Sequence, residues 1–195
     1  MTLGALGEMT TETVREYVFR ECNNSRNAFG PAFFEQHLSV VVEYAKRLGE
    51  VLGADLEIVE LAGWLHDIAA VQDVAALPRH PALSAEVARR LLLGRGYPAE
   101  RRERVAAYIA SHSAPVQMAN GSAEEVSVSN ADAIAQIVRP AYWLYFAFRV
   151  RQLGFTEGRD WLRQRVENNW AALIPPARAM IEKEYRQIAE FLRLE

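Results

Sequence analysis

Apolar residues recur at helical spacing in nearly every segment of this chain, and the helix-breaking residues stand between those segments rather than inside them. That pattern constrains the fold more than any other feature. Val14, Tyr17 and Val18 share one side of residues 11–22. Pro31 fits the first turn of a helix reaching about Leu52, which Gly53 ends. Asp55 is placed to cap a helix over 56–67, apolar on most sides and so expected to be buried. Pro81 and Pro98 open two more helices, the first stopping at Gly94 and the second near Ser113. Ser122 and Glu125 have capping-box spacing ahead of a helix to about Val138.

The last third continues in the same way. Pro140 opens an aromatic helix with Tyr142, Trp143, Tyr145, Phe146 and Phe148. A helix with Trp161, Val166 and Trp170 follows, Pro175 and Pro176 interrupt the chain, and Ile181, Tyr185, Ile188 and Leu192 form the stripe of a final helix. No segment alternates as a strand would. The expectation is an all-α helical bundle, with 1–195 as a single domain. Within it, the only plausible internal boundary lies near Pro140, where the composition turns aromatic.

Bulk properties narrow the partners. Half of the 195 residues are hydrophobic and 24% are charged, enough for a core without staples. A net charge of −3 argues against a nucleic acid duplex as partner. Cys22 is the single cysteine, so neither an internal disulfide nor a thiolate metal cluster can form. Nothing reads as a signal peptide, and the apolar runs are too short to span a bilayer. A cytoplasmic location, away from membranes, is expected. The aromatic stripe 142–148 reads as core or dimer surface rather than as a base-stacking platform, which leaves a homodimer open.

The four histidines carry the functional signal. His37 shares a helix face with Val41, Tyr44, Ala45 and Leu48. His66 lies with Ile58, Ala62 and Leu65, and Asp67 follows it. His80 falls on the side of Ser84, Val87 and Leu91, His112 on that of Val105, Tyr108 and Ile109, and Asp132 on that of Val128, Ala131 and Ala135. One such histidine alone reads as a core residue bonded to a carbonyl. Six inward ionisable residues in one ordered set are costly unless paired or metal-bound. Imidazole and carboxylate together suit Zn, Mn, Fe, Ni or Co.

The motifs are Gln36-His37-Leu38, Gly63-Trp64-Leu65-His66-Asp67-Ile68, His80-Pro81-Ala82-Leu83-Ser84-Ala85, Ile109-Ala110-Ser111-His112-Ser113 and Asn130-Ala131-Asp132. In that order the chain resembles the HD-domain superfamily of metal-dependent phosphohydrolases. The resemblance covers about residues 30–140 as a metal-binding core and leaves about 140–195 as a C-terminal helical extension. It implies that His37, His66, Asp67 and Asp132 hold a first divalent ion. It also implies that His80 and His112 hold a second, with Asp67 bridging: two ions rather than one, drawn from Fe, Mn, Zn, Ni, Co or Mg. Asp67 and His66 are then the central catalytic residues. The implied activity is hydrolysis of a small phosphorylated molecule, a nucleotide among the candidates, as a phosphatase or a phosphodiesterase.

The chain also departs from the family's patterns. Many members follow the His-Asp doublet with Ile-Gly-Lys, whereas Ile68-Ala69-Ala70 stands here, so no lysine meets phosphate at that point. Gly96-Tyr97-Pro98 invites comparison with the cyclic-dinucleotide phosphodiesterase branch but lacks that branch's flanking residues. It reads as a helix end followed by a helix start. Residues 126–138 lack the second aspartate and arginine of one related group. Arg139, two turns beyond Asp132, is a candidate for substrate phosphate. The run Arg101-Arg102-Glu103-Arg104 reads as a solvated face. Two other functions fit the same ligands: an HD-fold di-iron oxygenase and a non-catalytic metal-binding sensor.

Overall fold

The computed structural model describes residues 3–113 and 116–193 and contains no strand among them. Helix α1 spans Leu3–Cys22. A turn region leads to a π-helical turn, Phe34–Leu38, which runs directly into α2, Ser39–Leu52. Then come α3 (Leu56–Leu65), the short α4 (Ile68–Gln72), a 3₁₀ segment (Val74–Arg79), α5 (His80–Leu93) and α6 (Ala99–Ser111). Helix α7 covers Ala123–Val138 and α8 covers Pro140–Tyr145, which passes into a second π-helical turn, Phe146–Val150. Helices α9 (Phe155–Ala172) and α10 (Pro175–Leu192) complete the described chain. Among the described residues, no helix is long and apolar enough to cross a membrane.

Helix α7 is the central strut. It packs against α2, α3 and α6 on one side and against α9 and α10 on the other. Its sequence explains the position, since Val126, Val128, Ile134 and Ile137 are fully buried and point in different directions around the helix. Its start is fixed by a reciprocal capping box. The Glu125 amide donates to Ser122 Oγ, and the Ser122 amide to Glu125 Oε2, both at 3.2 Å.

Most of the expected punctuation holds. Gly53 ends α2 with φ of 72°, a left-handed conformation open to glycine at low cost. Asp55 caps α3, its carboxylate accepting the Ile58 amide at 3.4 Å. Gly63 is where α3 meets α2, since a Cβ there would stand 3.0 Å from Val42 Cγ2. Pro31 is one exception, lying in a turn ahead of the helix rather than in its first turn. The two π-helical turns are the other. Periodicity counted in units of 3.6 does not register a local five-residue ring.

The basic run after Pro98 also differs from expectation. Arg101 makes a two-pronged ion pair with Asp55, at 2.8 and 3.0 Å, and bonds to Tyr97 Oη, while Arg104 reaches Glu124 at 2.9 Å. This face binds α6 to the starts of α3 and α7. Tyr97 is buried and its hydroxyl donates to Glu57, which accounts for the Gly96-Tyr97-Pro98 tripeptide as structure.

Candidate metal centre

Five helix ends or faces deliver the six expected residues to one place. His37 comes from the π-helical turn, His66 and Asp67 from the end of α3, His80 from the first residue of α5, His112 from just past α6, and Asp132 from the middle of α7. His37 and His66 are fully buried and His112 is 3% exposed. The side chains of Asp67 and Asp132 keep 14% exposure and that of His80 keeps 17%, all toward a cavity.

The local backbone aims three of the four imidazoles in the same way. Nδ1–H of His66 donates to Gly63 O at 2.8 Å, that of His80 to Leu77 O at 2.7 Å, and that of His112 to Ile109 O at 2.7 Å. In each case the acceptor is the carbonyl three residues earlier, at a helix end or 3₁₀ turn, and those of Leu77 and Ile109 also take the amide of the same histidine. These bonds favour the tautomer that carries its proton on Nδ1, so the Nε2 lone pairs face inward. His37 is held differently. Its Nδ1 is buried without a partner. Its ring stacks on Phe33 at 4.8 Å and meets Trp143 edge-on at 5.3 Å.

The converging nitrogens stand closer than neutral lone pairs tolerate. His37 Nε2 lies 3.1 Å from His66 Nε2, and His80 Nε2 lies 3.2 Å from His112 Nε2. Between the two pairs sits Asp67. Its Oδ2 is 3.4 Å from both His37 and His66, and its Oδ1 is 3.1 Å from His80 and 3.8 Å from His112. Asp132 Oδ1 is 3.4 Å from His37 and 3.9 Å from His66. Two triads, His37–His66–Asp132 and His66–Asp67–His112, each place one donor atom per residue within 4.8 Å of the others. Inward lone pairs plus two carboxylates, with few donors among them, form a donor set that a divalent cation satisfies.

The electrostatics tell the same story. Burial opposes charge on both carboxylates. The neighbouring imidazoles nevertheless hold Asp67 well below the usual carboxylate range and Asp132 below it as well. Burial would lower His66, but Asp67 and Asp132 lift it to about 9, whereas burial and the charge on His66 push His112 down to about 4. The cluster thus favours positive charge at its centre.

The matrix around these residues is fixed by motif positions with no ligand role. The Ala69 amide donates to Ser84 Oγ at 3.1 Å, joining α4 to α5. Asn130 donates to Val116 O and Val126 O and accepts the Ile174 amide at 2.9 Å, which locks α7 to the start of α10 two residues before Asp132. Gln136, one turn after Asp132, donates to its Oδ1 at 2.9 Å and accepts from Asn169 Nδ2, also at 2.9 Å.

The cavity has a volume of about 320 Å³. Asp67, His80, His112 and Asp132 form its polar floor. Phe29, Phe33, Trp143 and Phe146 give it an aromatic wall, and α9 contributes Arg165 and Asn169. Trp143 and Phe146 of the aromatic stripe therefore face both the core and the cavity. Arg139 does not line the cavity. The helix stops at Val138 because the residue before a proline is pushed out of the α region, and Arg139 has φ −124° and ψ 54°. The two-turn spacing from Asp132 fails at that residue. The Arg139 guanidinium bonds instead to Val138 O at 3.3 Å.

Sequence reasoning missed Arg165, Gln136 and Asn169. Gln136 had a usable signal, four residues after Asp132 on the same face. Arg165 had none, lying in a stretch with Arg159 and Arg163 and carrying the same apparent amphipathic pattern.

The chain resembles known structures over nearly its whole length. Bacillus subtilis YpgQ superimposes with a TM-score of 0.73 at 20% identity, covering 96% of this chain and 94% of that one. Its complex with ADP gives 0.70 at 22% identity, with 94% coverage of each. A predicted HD superfamily hydrolase from an uncultured Thermotogales bacterium gives 0.58 at 22% identity, covering 98% of this chain and 99% of that one. At these identities the likeness concerns the fold. No curated protein matches the sequence. The HD domain family matches residues 34–137, just over half of the chain and the span that carries all six clustered histidine and aspartate residues. On that match the chain belongs to the HD-domain family.

Proposed function

We propose that this protein is a metal-dependent phosphohydrolase that holds two divalent ions and acts on a small phosphorylated molecule, with nucleotides the first class to test. The observation that carries the proposal is Asp67, which turns one carboxylate oxygen toward His37 and His66 and the other toward His80 and His112. A single ion would use His37, His66, Asp67 and Asp132. It would leave the His80 and His112 Nε2 atoms 3.2 Å apart, with only Asp67 Oδ1 and the Ser113 hydroxyl, 3.4 and 3.3 Å away, between them. A second ion, which His80, His112 and Asp67 would hold, would satisfy both imidazoles and keep positions open to substrate.

Divalent ions held this way supply an activated water and a clamp for phosphoryl oxygens. The chain's own residues do the rest. Asp67 and His66 set the spacing of the two positions. The Nδ1 bonds to Gly63, Leu77 and Ile109 hold the imidazoles in place before substrate arrives. Gln136 engages Asp132 Oδ1 and fixes its rotamer. Phe33 and Trp143 exclude water from the His37 side. The complex of ADP with B. subtilis YpgQ supports a nucleotide as first candidate, since that protein shares this fold.

The test is elemental analysis of protein purified without chelator, followed by a screen of nucleotides and sugar phosphates for released phosphate or pyrophosphate. Two divalent ions per chain and turnover of at least one phosphate ester are expected. Iron with oxygen uptake, and no phosphate release across the panel, would overturn the proposal in favour of an oxygenase.

A further inference from the structure

We infer that Arg165 is the anion-binding group of the cavity, and that it receives an oxyanion of the substrate opposite the His/Asp cluster. The identity of that oxyanion as a phosphate rests on the phosphohydrolase proposal, whereas the anion site itself does not.

Helix α9 presents this side chain to two aromatic rings. Trp161 is one turn before Arg165, and Asn169 one turn after it. The guanidinium lies over the Trp143 ring at 4.8 Å and over the Trp161 ring at 5.1 Å. Trp143 is itself fixed, its indole N–H donating to Ala135 O at 3.4 Å. Aromatic faces attract a guanidinium without using its N–H donors. The group is thus positioned while its hydrogen-bonding capacity is left free.

Among the described residues that capacity goes unused. Arg165 Nε is buried and has no hydrogen-bond partner. Among the described residues, no carboxylate stands within ion-pair distance of this guanidinium, whereas Arg101 and Arg104 are both paired. Removing a cation from water without a hydrogen-bonded counter-charge is costly. Burial draws the guanidinium below the ordinary arginine range, with Asp132 and Asp67 pulling the other way from a distance. A partly buried cation, held between two aromatic rings with its Nε unpartnered, fits a ligand that brings the missing negative charge.

Its location makes that ligand the substrate. Arg165 lines the same cavity as Asp67, Asp132 and His80. The chain Asp132–Gln136–Asn169 ties its helix to the cluster through two hydrogen bonds of 2.9 Å. The cluster attracts cations, and Arg165 attracts an anion from the other wall. A phosphoryl group between them would meet positive charge on both sides. A substrate with a second phosphate would place it on the arginine.

The experiment is calorimetric titration of the metal-loaded protein with inorganic pyrophosphate and, separately, with orthophosphate, for the wild type, Arg165→Met and Arg165→Gln. Metal content is measured on every sample. At unchanged metal content, Arg165→Met should weaken pyrophosphate binding by about tenfold or more. Orthophosphate weakened by the same factor would mean that the arginine meets the group held at the cluster. Weakening of pyrophosphate alone would place it on a neighbouring phosphate. If Arg165→Met fails to fold, Arg165→Gln, which keeps a donor but not the charge, decides the matter by the same criterion. Wild-type affinity for both anions in the folded variant, or no binding of either anion by the wild type, overturns the inference. Arginine-dependent pyrophosphate binding with no hydrolysis across the phosphate-ester panel would sink the phosphohydrolase proposal and leave the anion site standing.

Discussion

The cavity has two walls of opposite construction. On the wall built from residues 34–137, the chain itself orients the polar groups: carbonyls hold three imidazole Nδ1 atoms, Gln136 holds Asp132, and Asp67 faces four histidines. On the wall built from α8 and α9, the main polar group, Arg165, has aromatic neighbours and no hydrogen-bond partner at Nε. A metal centre needs its ligands rigid before the ion binds, because small errors in ligand geometry cost affinity. A substrate contact needs its donors free until the substrate binds. On the proposed function, the first wall would hold an ion and the second would meet what the ion acts on.

The sharpest way to break this comparison is to remove the residue at the centre of the first wall. Asp67→Ala takes away the carboxylate that faces all four histidines. Bound metal should fall to a small fraction of the wild-type amount, and kcat/KM for any phosphate ester found should drop by at least about a thousandfold, or about 4 kcal/mol. Circular dichroism should still report a helical fold. Full metal content together with full turnover would refute the centre.

The next effect separates one ion from two. His80→Ala and His112→Ala should each lower metal content from about two per chain toward one. His37→Ala should instead weaken the deeper position, since its Nε2 lies near Asp132 Oδ1 and Asp67 Oδ2. Wild-type metal content in both the His80 and His112 variants, with turnover lost, would make these two histidines acid–base or substrate-binding groups.

The two walls also differ in how far the sequence disclosed them. Histidine and aspartate are unexpected on apolar helix faces, so His37, His66, Asp67, His80, His112 and Asp132 stand out as an ordered set, and their order identifies the family. The helices are legible for a similar reason, because Gly53, Asp55, Ser122 and Pro140 each act on their nearest neighbours in the chain. What periodicity could not reach is long-range or local in an unusual way. Arg165 looks like any arginine on an amphipathic helix, and only the packing of α9 against α7 and α8 gives it two tryptophans and a cavity. Arg139 lies just past the end of α7 at Val138 and does not line the cavity, a placement that the count of residues from Asp132 does not give. His37 sits on a π-helical turn that moves it relative to α2, which no 3.6-residue count would register.

Gln136 tests whether the two walls are coupled. Its amide donates to Asp132 and accepts from Asn169, so it is the bridge between the cluster and α9. Gln136→Leu keeps the volume and removes both bonds. Metal affinity should fall by about ten- to a hundredfold, the range for loss of a group that orients a ligand. Asn169→Ala should have a smaller effect in the same direction, because it acts on Asp132 only through Gln136. Unchanged metal affinity in Gln136→Leu would mean that Asp132 needs no orientation from α9.

The smallest expected effect comes from a polar cluster on the matched half but away from the cavity. Asp55 caps α3 and pairs with Arg101, and both belong to the structural frame. Asp55→Ala should cost about 1–2 kcal/mol, most of it from the lost cap, because the partly exposed ion pair is screened by water. Metal content and anion binding should not change. The pH dependence follows from the sign of the shift. Burial opposes ionisation of Asp55, but its bonds to Arg101 and the Ile58 amide outweigh it and hold the carboxyl below its ordinary value of 3.8. A depressed folded-state pKa stabilises the protein above the unfolded value and ceases to do so as the pH falls through the folded one. Urea denaturation should therefore show the full gap between wild type and variant near neutrality, narrowing only as the pH drops below 3.8. A gap that already closes at higher pH would mean that the Arg101 pair does not depress Asp55. A loss of bound metal in this variant would mean that the start of α3 is coupled to His66 and Asp67 at its end, which would break the division between frame and site.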